Sequence, residues 1–115
     1  MTTIQQLKDL APNLPTYKYI SQIEYANKAI GHYFFDNGTM RSFNSRVHSQ
    51  VYGGCIFVTS EKNSSWRFEY DRAYTIRMIT ETGSIRTIGE FQEHDTRYSA
   101  HSYAKYLGDI ITSNT

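Results

Sequence analysis

All seven arginines of the chain fall between Arg41 and Arg97, and most stand beside tyrosines or hydroxyl side chains in segments that alternate like strands. A guanidinium on such a surface holds phosphate or carboxylate through two parallel hydrogen bonds and stacks on planar rings. Two groups stand out. Arg41, Ser42, Asn44, Ser45 and Arg46 concentrate guanidinium, amide and hydroxyl donors in one short run, which at a helix start could grip an anionic group. Arg72, Arg77 and Arg86 lie in Arg72-Ala-Tyr-Thr-Ile-Arg77 and Ser84-Ile-Arg-Thr-Ile88, on a pleated surface with Glu69, Glu81 and Glu90 available for pairing across strands. This is binding chemistry, and Arg41, Asn44, Arg46, Arg72, Arg77 and Arg86 are the expected binding residues.

Catalytic and metal patterns are weaker. The histidines at 32, 48, 94 and 101 do not fall in pairs with the spacing of about two to four residues that a ligand arm uses, and Cys55 is the single cysteine. His48-Ser49 in a polar stretch is not the strand-to-helix turn a serine hydrolase requires. The expectation is a non-enzymatic protein with no metal and no cofactor.

The elements that must position these residues fit one domain, since 115 residues can bury roughly two thirds of the unfolded surface. A net charge of +1 is not the strongly basic footprint of a typical nucleic-acid reader. The charge is uneven, with a basic middle from Thr39 to Gly89 and an acidic end from Glu90 onward. Ten tyrosines need either internal partners for their hydroxyls or a contact surface. A lone Cys55 in the apolar run Cys-Ile-Phe-Val reads as a buried small hydrophobe, and the lack of a disulfide framework fits a reducing compartment. The first residues form no basic-then-apolar leader and no run approaches roughly eighteen apolar residues, so a cytoplasmic, non-membrane protein is expected.

Thr3-Ile-Gln-Gln6 has capping-box spacing and opens a short helix that Pro12 stops; Ser21-Gln-Ile-Glu24 repeats the spacing for a second helix with Gly31 after its end. His32 to Asp36 reads as a brief strand closed by Asn37-Gly38. Thr39 would cap a short helix with Met40, Phe43 and Val47 on one face, while the Asn/Ser pairs flanked by arginines in the same stretch would also suit a loop. Gly53-Gly54 precedes an apolar strand from Cys55 to Ser60, and Glu61 to Ser65 reads as a loop. A further strand could open at Trp66 to Tyr70. Arg72 to Thr80 alternates with Tyr74, Ile76 and Met78 on one face, and Ser84 to Phe91 returns antiparallel through a turn near Thr82-Gly83. Asp95 or Thr96 caps a last helix whose stripe is Ala100, Tyr103, Ala104, Leu107 and Ile110 or Ile111. The fold expected is α+β: a mainly antiparallel sheet of roughly three to five strands, backed by the C-terminal helix, with short N-terminal helices.

Two resemblances follow from these segments. The stretch from Tyr74 to Leu107 resembles the sheet-plus-helix modules of phage-type integrase arm-binding domains and AP2-type DNA readers. That implies a nucleic-acid partner met by Arg72, Arg77 and Arg86 on an exposed sheet face. The set Gly31-His-Tyr-Phe-Phe35, Thr39 to Arg46, Gly53-Gly54, Phe57 to Glu61, Tyr74-Thr-Ile-Arg77 and Gly89-Glu-Phe-Gln92 is similar to small uncharacterised accessory proteins of phages and prophages. By analogy it implies an inhibitor of host defence, of the anti-CRISPR kind. Such a protein would dock an Arg/Tyr surface on a protein or nucleoprotein target, such as a CRISPR effector, in the cytoplasm of an infected or lysogenic bacterium. A sheet-based DNA or RNA module and a binder of a small anionic ligand at Arg41 to Arg46 stand as alternatives.

Overall fold

Alternation at period two is strongest from Arg72 onward, and there the computed structural model has its central hairpin. The structure describes residues 2–36, 38, 40, 45–62 and 72–115. Strands β1 (Arg46–Val47), β2 (Ile56–Lys62), β3 (Arg72–Ile79) and β4 (Ile85–Ile88) form one antiparallel sheet in the order β1-β2-β3-β4. The β3–β4 turn passes through Gly83 at φ 91°, a left-handed value that a side chain would strain.

Helix α1 (Ile4–Leu10) starts with the Thr3 capping box anticipated from its spacing, completed by Gln6. Helix α2 (Ile20–Ala29) begins one residue ahead of the expected Ser21 cap. The cause is Gln22, whose Oε1 accepts from the amides of Lys18 and Tyr19 at 2.8 and 3.0 Å and so satisfies the amides at the helix start from within. Gly31 follows α2 at φ 82° as expected. Helix α3 (Arg97–Ser113) runs 17 residues from a Thr96 cap, and Ala100, Ala104, Leu107 and Ile111 are its buried stripe.

Three local expectations are corrected. Residues 32–36 are not a strand: Phe34 N donates to Asn27 Oδ1, and Asp36 N to Tyr33 O, so this stretch folds back and lays Phe34 and Phe35 against Phe57. Glu61 and Lys62 extend β2 rather than open a loop. Gly38 and Met40 are helical, with Met40 N donating to Asp36 O, but Arg46 and Val47 pair with Ser60 and Thr59 as β1, because the β2 edge offers them ladder partners. Thr39, Arg41 to Asn44 and the segment Trp66 to Tyr70 lie outside the described residues.

The sheet is buried on both faces. By register, Ile56, Val58, Tyr74, Ile76 and Met78 share the face toward α3, while Phe57, Thr59, Glu61, Thr75, Arg77 and Thr87 share the other. Cys55, Phe57, Ile76, Ala100, Ala104 and Leu107 belong to one apolar cluster. Burial pushes the Cys55 thiol up to about 12, which makes it a packing residue and a poor nucleophile.

The second face carries an internal charge. Glu61 is 1% exposed and accepts from Arg77 Nη2 at 3.1 Å, Thr59 Oγ1 at 2.6 Å and Thr75 Oγ1 at 3.1 Å. Arg77 also donates to Thr59 and Thr87 hydroxyls, and its guanidinium lies between the rings of Phe34 and Phe91, 5.2 and 5.6 Å from their centroids. Buried charges persist when their hydrogen-bonding capacity is met, and three threonines meet it here.

Candidate functional site

At one end of the α3-facing side, three loops and helix ends bring together titratable groups far apart in sequence. His48 follows β1 and is held by its own backbone, whose N donates to Val58 O at 2.9 Å. Tyr52 is fixed by a tight reversal in which Tyr52 and Ile56 exchange backbone hydrogen bonds at 2.7 and 2.9 Å. His101 lies one turn into α3, after Arg97 and Tyr98. The reversal reaches α3 because two glycines meet: a Cβ on Gly108 would stand 2.8 Å from Gly53 N and 2.9 Å from Tyr52 Cβ.

The side chains form a chain of hydrogen bonds. Tyr52 OH is 2.8 Å from His101 Nδ1, and His101 Nε2 is 2.7 Å from His48 Nδ1. The two imidazole planes are 14° apart with centroids at 5.0 Å. That separation is the nitrogen distance plus the two ring radii, so the rings meet edge to edge and share one proton along the line between them. Nitrogens 2.7 Å apart leave no room for a metal ion between them. Among the described residues, no group of three or more His, Cys, Asp or Glu is arranged to hold a metal.

The surroundings are cationic. His48 is lowered to about 4, first by burial, then by His101 and the guanidiniums of Arg97 and Arg72. His101 is lowered by burial and Arg97, and burial raises the Tyr52 phenol. At neutral pH the relay is therefore uncharged and hydrogen-bonded while arginines surround it. An open depression of about 490 Å³, lined by Gln50, Tyr52, Arg97, Tyr98 and His101, lies over it. Tyr98 is 82% exposed.

A pH dependence follows. The unfolded chain binds a proton at His48 below about 6.5, whereas the folded chain takes it up only near 4. Between these values the unfolded state carries more protons, so stability is full above the upper value and declines as pH falls through the window. His48→Gln is expected to flatten the fall in urea midpoint between pH 7 and 5, and the His48 ring protons should titrate near 4 by NMR. Titration at the ordinary histidine value would contradict the geometry.

The sequence-derived binding residues separate. Arg46 lies opposite Ser60 on the sheet edge. Arg72 is close enough for Arg46 to add to the burial that lowers its pKa, and it donates to the Ser60 hydroxyl and carbonyl. These two join the His48 end. Arg77 points to the other face and is occupied by Glu61. Arg86 pairs with Met78 on β4 and is exposed beside Thr2 and Gln6. Arg72, Arg77 and Arg86 therefore do not share a contact face, because 72 and 77 differ by an odd number of strand positions. Arg41 and Asn44 lie outside the described residues. His48, Tyr52, Arg97, Tyr98 and His101 went unselected in the sequence. The Arg97, Tyr98, His101 spacing on a capped helix was the one local signal.

What the fold and site define is an α+β domain with a neutral imidazole relay set among arginines at one end of its sheet. The chain belongs to a family of unknown function (DUF7447), whose model matches residues 19–105. The match takes in β1 to β4 and the Tyr52, Arg97 and His101 cluster. No curated protein and no solved structure matches the chain. Among the described residues no helix is long and apolar enough to cross a membrane.

Proposed function

We propose that this protein is a non-enzymatic binding protein that docks its Arg46, Arg97 and Tyr98 edge on an anionic surface of a protein or nucleoprotein partner. The observation that carries this is the pairing of two exposed guanidiniums, which have no ion-pair partner among the described residues, with a well-exposed aromatic ring beside a depression. Arginine and tyrosine in that setting dominate interface energetics. Both ring nitrogens of His101 are already hydrogen-bonded, and His48 holds a proton poorly, which suits a rigid recognition surface better than a general base.

The similarity of several segments to phage and prophage accessory proteins makes a host-defence effector, a CRISPR nucleoprotein among them, the partner to try first. Reading DNA with an open sheet face is disfavoured, since α3 covers one face and Phe34, Phe35 and Phe91 lie over the other. The test is capture from bacterial lysate with and without nuclease. Arg97→Ala is expected to abolish capture while leaving the melting temperature within a few degrees, because an exposed arginine contributes only about 0–1 kcal/mol to folding. Capture that survives both Arg97→Ala and Arg46→Ala would remove this surface from consideration.

A further inference from the structure

The depression between the Tyr52 reversal and the start of α3 says more about the occupant. Its lining offers a cation at Arg97, a planar ring at Tyr98, and neutral polar groups at Gln50, Tyr52 and His101. An acidic peptide would use the cation and leave the ring idle. Unstacked bases use both, because every base has a face to stack and a phosphate beside it. Along the strand edge, Arg46 stands two residues, about 7 Å, from His48, so a second cation continues the line beyond the relay. A duplex lacks the free base face that Tyr98 would stack on. The chain's net charge of +1 limits the number of phosphates it can neutralise, which fits a short contact with one strand.

We propose that this depression binds single-stranded nucleic acid, with phosphates on Arg97 and Arg46 and one base stacked on Tyr98. This rests on the reading of the same edge as a docking surface and names its occupant. Gln50 and the Tyr52 hydroxyl supply hydrogen bonds to base edges, and the relay through His101 to His48 holds Tyr52 in place.

Fluorescence anisotropy on the full chain decides it, using a labelled oligouridylate of about twelve nucleotides, a duplex RNA of equal length and a labelled polyglutamate. Oligouridylate is expected to bind, with log affinity falling against log salt at a slope near −1.4 for about two phosphates on a single strand. Arg97→Ala and Tyr98→Ala should each weaken it by about tenfold or more, and Tyr98→Phe should retain it, because stacking needs the ring and not the hydroxyl. Melting temperatures of all variants serve as the folding control. Polyglutamate binding that depends on Arg97, with no oligouridylate binding, would overturn the nucleic-acid assignment and leave the anionic docking surface intact. Duplex bound as well as the single strand, or Tyr98→Ala without effect, would overturn the stacking role. No binding of any probe would overturn the proposal, while lysate capture through Arg97 would still stand as a separate result.

Discussion

Arg77→Ala should lower the unfolding free energy by about 3–5 kcal/mol, the range expected when one partner of a buried ion pair is removed. The loss is large because the Glu61 carboxylate stays behind at 1% exposure with two threonine hydroxyls and without the guanidinium that hydrogen-bonds to it, although Arg72 still acts on it electrostatically. Arg77 itself is 15% exposed and fills the gap between Phe34 and Phe91, so truncation also removes packing. Replacing both partners, as Arg77→Met with Glu61→Gln, should recover most of the stability, since well-packed neutral groups of similar size often substitute for a buried pair at little cost. Urea denaturation of the two single variants and the double variant gives the comparison. A single-variant loss under about 1 kcal/mol would place the pair in solvent and undo the description of this face.

Gly108→Val should be comparably damaging for a different reason. A Cβ there meets Gly53 N at 2.8 Å and Tyr52 C at 3.0 Å, which are backbone positions that cannot rotate away. Overpacking of this kind typically costs about 1–3 kcal/mol and more where backbone must move, and the better helix propensity of a non-glycine residue returns at most about 1 kcal/mol. The damage should reach the relay. Pushing α3 off the reversal separates Tyr52 from His101, opens His48 to water and moves its titration from about 4 back toward the ordinary value. A variant with the wild-type melting temperature and an unchanged His48 titration would show that helix and reversal do not touch.

The hairpin and the last helix were legible because their signals are local: alternation from Arg72 to Thr80, a glycine turn, a Thr96 cap and alanines at helical spacing. The Glu61 position was not. A charge after Ser60 reads as the end of a strand, and its neutralising partner lies 16 residues on, across a register that composition does not reveal. Phe34 and Phe35 read as a strand because paired aromatics favour one, yet Asn27 ties the segment to α2 and turns both rings onto Phe57. The candidate site was the least legible part. His48 and His101 are 53 residues apart, and nothing short of the sheet-to-helix packing brings them together. Arg46 and Arg72 were chosen for their chemistry, and β1–β2 and β2–β3 pairing placed them at the same end.

Strand order that equals chain order has a consequence for synthesis. Each strand of this meander finds its partner in the segment made just before it, so the sheet pairs sequence neighbours as the chain lengthens. The cluster is different. Tyr52 and His48 must wait for the closing helix to emerge and deliver His101 and Arg97. A chain cut before α3 would therefore lack the His48–His101 relay even where its strands pair.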